Sequence, residues 1–247
     1  MKPFQQEFFD INRFPKQEGI LVFGISMNKI GNIQSAEQCF QYVENFIPKI
    51  IKPAVGLNFV YADSLYLHSQ EEAQKLKKKN EPLMHAHKYA FLNILDKHLA
   101  YIQPSFSFTS WSQMILESKD FFNLFGNLKK IYREDAVFQQ LVRYDAQGRT
   151  ELSEIEENFI LEEILMFYLT SKGKMRLRND FVVDKQKWVL WCYPGEPLLS
   201  EIYLYKKNFF GIHNNHNVYE NSFYDLTNKK LIDFSKIGLS ELEAIAQ

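Results

Sequence analysis

The apolar run Gly19-Ile-Leu-Val-Phe-Gly-Ile-Ser26 is the segment that most restricts how this chain can fold. A short, nearly continuous apolar run bounded by glycine and polar residues is typical of a parallel strand that is buried on both faces. Similar runs occur at residues 56–63 and 187–193, and weaker ones at 105–109 and 181–183. Because helices must cover both faces of such a sheet, the sequence predicts an α/β fold.

The segments between these runs carry apolar residues at helical spacing. A helix is predicted after Ser35, a suitable N-cap, and its place between two strands indicates a right-handed βαβ unit. The clearest helix is predicted at residues 153–171, because acidic residues follow Ser153 and Lys172-Gly173 ends the pattern. Further helices are predicted at 69–101, with an interruption at Asn80-Glu-Pro82, at 110–125 and at 128–145. The tail at 203–228 is predicted to be strand and loop, and no linker divides the predicted single domain, residues 1–247.

Composition excludes several classes of protein. The 247 residues carry a net charge of −1, which argues against a uniformly basic nucleic-acid-binding protein but leaves room for a local basic patch. The two cysteines, Cys39 and Cys192, have no metal-binding spacing and give no disulfide framework. The N-terminus lacks the apolar region of a signal peptide, and no window approaches the ~18 apolar residues of a membrane helix. We therefore expect a protein of a reducing, bacterial-type cytoplasm.

Two hydroxyl groups are predicted to lie at the same edge of the sheet. Ser26 ends the first run and Tyr193 lies at the end of the run at 187–193. Ligands of α/β sheets bind beyond the carboxyl ends of the strands, so this pair suggests a nucleophile and a proton-handling partner. Small polar residues also end ordinary strands, and that alternative stays open. The sequence has no glycine-rich phosphate loop, so a nucleotide-binding site is not indicated. It also has no His-Glu-x-x-His spacing, so metal catalysis is not indicated.

Four sequence features occur in order over about residues 20 to 200. They are Val22-Phe-Gly-Ile-Ser-Met-Asn, Phe59-Val-Tyr-Ala-Asp-Ser, Tyr132-Arg-Glu-Asp-Ala-Val-Phe138, and the pair Asn158-Phe-Ile-Leu-Glu-Glu163 with Val189-Leu-Trp-Cys-Tyr-Pro194. Together they resemble the tRNA-dependent cyclodipeptide synthases. The resemblance implies a Rossmann-like, mostly parallel sheet flanked by helices, similar to the catalytic domains of class I aminoacyl-tRNA synthetases. It also implies a monomer that uses two aminoacyl-tRNAs per cycle and needs neither ATP nor a metal.

The resemblance implies covalent, ping-pong catalysis. Ser26 would attack the ester of an aminoacyl-tRNA to give an aminoacyl-enzyme, and a second aminoacyl-tRNA would lead to a dipeptidyl-Ser26 intermediate that closes to a diketopiperazine. Tyr193 would relay a proton during ring closure, and Glu163 would hold a substrate amino group. The alternative for Tyr193 is a core tyrosine whose hydroxyl has a hydrogen-bond partner, and the alternative for Glu163 is a solvated helix glutamate.

The resemblance also predicts the residues that bind substrate. The family usually has a tyrosine four residues before Glu163, whereas this chain has Phe159, so the hydroxyl is lost and Tyr61, Tyr193 or Glu163 would have to compensate. Pro194 and Lys29 resemble the Tyr-Pro subfamily; Lys29 either contacts phosphate or an oxyanion, or is a solvated loop lysine. Val22, Gly24 and Leu190 are candidates for the first side-chain pocket. The predicted substrate-binding set is Val22, Gly24, Asn28, Lys29, Tyr61, Asp63, Phe159, Leu190, Pro194 and Glu196.

Binding of tRNA would need a positive surface, because phosphate contacts supply most of the sequence-independent affinity. The first candidate is the predicted helix at 69–101, with a solvated helix face as the alternative. Its candidate residues are Lys75, Lys78, Lys79, Lys88 and Lys97. Two further patches are candidates, one with Lys129, Lys130 and Arg133 and one with Lys172, Lys174, Arg176 and Arg178.

Three alternatives belong to other functional classes. A non-catalytic, synthetase-like tRNA-binding module would keep the basic helix but would not need Ser26. A serine acyltransferase or hydrolase acting on a small ester predicts Gly-x-Ser-x-Gly and a catalytic histidine, but Asn28 stands where the second glycine would be. The third alternative, a plain structural α/β domain, is disfavoured by the ordered set of motifs.

Overall fold

The computed structural model describes residues 6–8, 19–44, 55–63, 70–98, 105–146, 151–175, 188–213 and 219–247. Seven strands of these segments form one sheet in the order β1-β7-β6-β5-β2-β3-β4. Their bounds are β1 Gln6–Phe8, β2 Gly19–Ser26, β3 Val55–Ala62, β4 Ser105–Ser110, β5 Trp188–Tyr193, β6 Ser222–Asp225 and β7 Lys230–Asp233.

The sheet is mostly parallel, as the apolar runs predicted. Strand β2 lies at its centre and pairs in parallel with β3 and β5, which pair in parallel with β4 and β6. Strands β7 and β1 continue the sheet beyond β6 in antiparallel pairing. The α/β fold class with a mostly parallel sheet is therefore confirmed, and four of the five predicted strands are found with small changes at their ends. The fifth, at 181–183, lies outside the described residues.

The described residues also form eight α-helices and a short 3-10 helix at Phe234–Lys236. Helices α1 and α2 cover one face of the sheet, where they pack with Leu21, Phe23 and Phe59. Helices α3 to α8 cover the other face, where they pack with Ile20, Val22 and other residues. The helices are α1 Ala36–Glu44, α2 Gln70–His98, α3 Trp111–Glu117, α4 Phe121–Glu134, α5 Ala136–Asp145, α6 Glu154–Ser171, α7 Leu199–Lys207 and α8 Leu239–Ile245.

Helix starts with a clear capping residue were predicted well. The Ser35 side chain accepts a hydrogen bond from the backbone N–H of Gln38 (3.2 Å) at the start of α1. At the start of α6, Ser153 and Glu156 form a capping box in which each side chain binds the other's backbone N–H. Helix α6 ends before Gly173, whose φ of 70° is easily adopted by glycine.

Three predictions of secondary structure are wrong: two predicted helices are each divided in two, and one helix was not predicted. The predicted helix at 110–125 is divided, because α3 ends at Glu117 and α4 begins only at Phe121. The predicted helix at 128–145 is also divided, at Asp135, whose side chain accepts from the N–H of Phe138 (2.9 Å) and so caps α5. The predicted strand and loop at 203–228 begins instead within α7, whose residues from Leu199 to Tyr205 are buried by packing that local propensity does not reveal.

The predicted interruption at Asn80-Glu-Pro82 is also wrong, because α2 is continuous from Gln70 to His98. Proline lacks the N–H that would bind the carbonyl four residues earlier, here that of Lys78. Both Lys78 and Pro82 are exposed, so water can satisfy that carbonyl. Asn80 is instead buried, and its side chain donates to the backbone carbonyl of Asp63. No helix within the described segments has the length and apolar content needed to cross a bilayer.

Candidate active site

A cavity of about 490 Å³ opens at the carboxyl end of β2, beside Ser26. Ser26 ends its strand, opposite Ala62 of β3, and the residues that follow turn sharply because the N–H of Lys29 donates to the carbonyl of Ser26 (2.9 Å). The serine therefore lies where ligands of parallel sheets bind. The cavity is lined by Ser26, Met27, Asn28, Ala62, Asp63, Leu76, Lys79, Asn80, Trp111, Asp145, Ala146, Ile155, Glu156, Phe159, Ile160, Glu163 and Leu198.

Helix α6 supplies one wall of this cavity through a stripe of residues four apart. Ile155, Phe159 and Glu163 face the cavity from successive turns, so an apolar surface leads to a carboxylate. Phe159 is 41% exposed, which is unusual for a large aromatic side chain and follows from its position on the open wall. The ring is present where the resemblance expects a tyrosine, but no hydroxyl reaches the cavity from it.

The pKa of the Glu163 carboxyl is raised to about 7, mainly by burial and also by the nearby Asp145 carboxylate, while Lys29 opposes the shift. Near neutral pH the carboxyl is therefore divided between its acid and carboxylate forms. The low dielectric that causes this shift also strengthens attraction between the carboxylate and a cation in the cavity.

Asp145, a cavity residue that was not predicted, fixes the position of α7. Its carboxylate accepts from the backbone N–H groups of Leu199 (3.0 Å) and Ser200 (2.8 Å) and from the Ser200 hydroxyl (2.5 Å). These donors lie at the positive end of α7, which stabilises a negative charge there. Glu201, in the first turn of α7, is also buried. Burial raises the pKa of its carboxyl well above the ordinary value, and the negative charges of Glu163 and Asp145 raise it too. A cap that lies 54 residues before its helix leaves no local sequence signal.

Tyr193 and Lys29 lie together, and the charge of Lys29 acts on Glu163. The Lys29 ammonium is 4.7 Å from the centre of the Tyr193 ring, a cation–π contact. Tyr193 belongs to the same face of the sheet as Ser26, since its side chain packs with the α3–α8 core. A Cβ atom at Gly24 would lie 3.3 Å from the Tyr193 ring, so the small residue leaves space for that ring. Neither Lys29 nor Tyr193 lines the cavity itself.

Asn28 and Asp63 do line the cavity, as their predicted substrate-binding role requires. The Asp63 carboxylate is already engaged, because it accepts from the backbone N–H of Ser112 (3.1 Å) and from its hydroxyl (2.5 Å). These bonds hold the start of α3 against the end of β3.

Several predicted site residues are not brought together. Val22 and Gly24 lie on the Ser26 face, whereas Leu190 and Tyr61 pack with the α1–α2 core on the opposite face. Leu190 therefore does not share a pocket with Val22, and both are fully buried. Pro194 is buried directly after β5 and Glu196 is exposed, and neither lines the cavity.

Helix α2 connects the cavity with a basic surface. Lys79 lines the cavity and is exposed, and Lys75, Lys78 and Lys97 are exposed on the same helix. Lys88 is only partly exposed; its ammonium lies 5.1 Å from the centre of the Phe108 ring, and it lines a second cavity of about 600 Å³ between α2, β4 and α3.

In the other two predicted basic patches, Arg133 and Lys174 are exposed, and three lysines form ion pairs. Lys129 pairs with Glu154 (3.5 Å) and Lys130 with Glu134 (3.8 Å). Lys172 is only 4% exposed and pairs with Glu220 (3.5 Å), so it is not a surface cation. Arg176 and Arg178 lie outside the described residues. Within the described segments, no group of three or more histidine, cysteine or carboxylate side chains is arranged to hold a metal ion.

Comparison of the sequence finds no matching family model and no matching curated protein. Among solved structures, that of a cyclodipeptide synthase from Fluoribacter dumoffii superposes with a TM-score of 0.55 at 12% identity, covering 84% of this chain and 93% of that one. The two chains share a fold. AlbC, a cyclodipeptide synthase from Streptomyces noursei, gives a TM-score of 0.46 at 17% identity, with 75% of this chain and 86% of AlbC covered. A Mycobacterium tuberculosis protein, whose structure relates cyclodipeptide synthetases to type I tRNA synthetases, gives 0.48 at 20% identity, with 74% and 76% covered.

Proposed function

We propose that this chain joins the aminoacyl groups of two aminoacyl-tRNAs into a cyclodipeptide, with Ser26 as the nucleophile. The observation that carries the proposal is that Ser26 and Glu163 line one cavity at the carboxyl edge of the sheet. The fold shared with the Fluoribacter dumoffii synthase supports it. Lys79 supports it too, because this lysine lines the cavity and is also part of the exposed basic surface of α2.

In the first step, the Ser26 hydroxyl oxygen attacks the ester carbonyl carbon of one aminoacyl-tRNA. The bond from that carbon to the ribose oxygen breaks, the serine proton passes to the ribose oxygen, and the tRNA leaves. The aminoacyl group is then an ester of Ser26. Because the substrate ester is already activated, the step needs no ATP, and the proposal includes neither ATP nor a metal.

In the second step, the amine of the seryl-bound residue attacks the ester carbonyl of the second aminoacyl-tRNA. That tRNA leaves with a proton, and a dipeptide remains on Ser26. The free amine of the dipeptide then attacks the seryl ester, which closes the ring and returns the proton to Ser26. Glu163 holds the ammonium form of a substrate amine, and Tyr193 on the same face of the sheet relays the proton of ring closure.

The remaining assignments belong to the same proposal. The pair Tyr193-Pro194 supports the Tyr-Pro branch of the synthases. We also propose a monomeric enzyme of the cytoplasm. Apolar side chains form much of the cavity wall, among them Trp111, Ile155 and Leu198, which favours substrates with apolar side chains.

The proposal is tested by mass spectrometry of the medium of bacterial cells that express the chain. We expect a diketopiperazine with the parent protein and none with Ser26→Ala. The matched control is Ser240→Ala, which removes the hydroxyl of an exposed serine of α8 and should leave product formation unchanged. Equal product from Ser26→Ala and the parent would contradict the role of Ser26. A folded parent protein that binds tRNA and makes no product would favour the non-catalytic binding module instead.

A further inference from the structure

The loop that follows β2 is closed by the side chain of Gln34. The side-chain N–H of Gln34 donates to the carbonyl of Gly24 (2.6 Å), and the backbone N–H of Ser26 donates to the side-chain oxygen of Gln34 (2.8 Å). The two bonds bracket Ile25 as the peptide groups of a neighbouring parallel strand would. The amide of Gln34 thus holds the backbone of the last three residues of β2, including Ser26.

Gln34 is in turn held by a histidine of α2. His87 Nε2 lies 3.0 Å from the backbone carbonyl of Gln34, and His87 Nδ1 lies 2.9 Å from the Tyr61 hydroxyl. A carbonyl can only accept, so Nε2 carries the proton, and Nδ1 of the neutral ring accepts from the tyrosine. Burial lowers the pKa of His87, which favours this neutral form, although bonds to the backbone at Gln34 and Ser35 and the charge of Glu37 oppose the shift.

The three side chains are buried, with 1% of Gln34, 6% of His87 and 2% of Tyr61 exposed. Water therefore does not replace these bonds easily, and a missing partner would leave a buried polar group unsatisfied. The chain of contacts runs from β3 through α2 to the strand end that carries Ser26. Helix α2 also carries Lys79 and Asn80 in the cavity wall, so the same helix contributes to the wall and to the support of the serine.

We propose that Gln34 is a positioning residue for Ser26 and that His87 holds Gln34 in place. The inference rests on the proposed function, because it assigns the support of the nucleophile in that reaction. Ser26 ends its strand, so its backbone position depends on groups outside the strand. Displacement of a nucleophile by about 1 Å can lower the rate of a reaction a hundredfold. Gln34 touches no substrate and acts only through the backbone of Ser26.

The first test replaces Gln34 by methionine, which keeps the length of the side chain and removes both amide bonds. Hydrogen exchange of a peptide that contains Ser26 should become faster, because the Ser26 N–H loses its acceptor. In aminoacyl-tRNA kinetics, kcat should fall roughly tenfold to a hundredfold, while KM stays close to that of the parent since the lysines of α2 are unchanged. Gln140→Met, at an exposed glutamine of α5, is the matched control and should change neither quantity.

The second test compares two replacements of His87. Glutamine at this position keeps a side-chain N–H that can donate to the Gln34 carbonyl, whereas leucine fills the buried space without a donor. We expect His87→Gln to retain most of kcat and His87→Leu to lose most of it while still folded at the assay temperature, as its circular dichroism spectrum would show. Unchanged exchange in Gln34→Met, or equal kcat for the two His87 variants, would overturn the inference. A parent chain that makes no product would contradict the proposed function. Hydrogen exchange does not depend on turnover, so it would still show whether Gln34 holds the backbone of Ser26.

Discussion

Replacement of Glu163 by glutamine is expected to stabilise the fold at alkaline pH and to abolish product formation. The Glu163 carboxyl has a pKa raised from 4.5 to about 7 in the folded protein, because burial disfavours the charged form. A proton is thus bound more tightly by the folded than by the unfolded chain. The stabilisation that this proton provides is complete below pH 4.5 and is lost as pH rises to and beyond about 7. Glutamine resembles the protonated acid and does not titrate.

The size of the effect follows from the two pKa values. Each unit of difference corresponds to about 1.4 kcal/mol, so the fully ionised carboxyl costs the fold on the order of 3 kcal/mol. Some of that cost is already present at pH 5, and the difference between pH 5 and pH 8.5 is about 2.5 kcal/mol at most. Water that reaches the partly exposed carboxyl reduces this value. For a chain of this length, 1 kcal/mol shifts the melting temperature by about 2–4 °C, so Glu163→Gln should gain at most roughly 5–10 °C over the parent between these pH values.

Thermal unfolding monitored by circular dichroism at pH 5 and pH 8.5 measures this difference directly. Glu134→Gln, at an exposed glutamate of α4, is the control and should change the melting temperature similarly at both pH values. A melting-temperature difference between Glu163→Gln and the parent that is the same at pH 5 and 8.5 would refute the reasoning. In the activity assay, the parent should form more product as pH rises through about 7, because only the ionised Glu163 attracts an ammonium group.

Three further predictions concern neighbours in the site. Lys29→Met should move the acidic limb of the pH–activity profile to higher pH, because Lys29 lowers the pKa of Glu163; an unmoved limb would contradict this. Asp145→Ala should lower the free energy of unfolding by about 1–3 kcal/mol in urea titrations, since it removes the acceptor of the Ser200 bonds, and Asp145→Asn should lose less. Phe159→Tyr adds the hydroxyl that the resemblance to the synthases predicts at this position and should raise the rate of product formation, measured by mass spectrometry; a lower rate would count against a role for that hydroxyl.

Strands β2 to β5 and the position of Ser26 were predictable because their signals are local, whereas β1 and β7 were not predicted. An apolar run of six to eight residues marks a buried strand, and a polar residue after it marks the edge where ligands bind. Glu163 was predicted for the site only through the resemblance to the cyclodipeptide synthases, and helical spacing adds that it shares a helix face with Phe159. These features need no knowledge of how distant segments meet.

The composition of the pocket was not predictable, because it depends on register. Leu190 pairs with Leu21 and not with Val22, so it shares the face of Leu21. A shift of one residue in register moves a side chain to the other face of the sheet, and the sequence contains no direct signal of register. The same limit applies to Asp145 and Gln34, since each acts on a segment that only the folded chain brings close.

Helix α2 is uninterrupted at Pro82, so in the proposed reaction it sets the distance between the cavity that holds the aminoacyl ester and the phosphates of the bound tRNA. Its 29 residues extend for about 43 Å, and Lys97 lies about 27 Å along its axis from Lys79 at the cavity. A substrate held at both lysines must place its reactive end at a fixed distance from its phosphates. Short aminoacyl esters that mimic only the end of a tRNA would fill the cavity but would not reach the distant lysine Lys97 of α2.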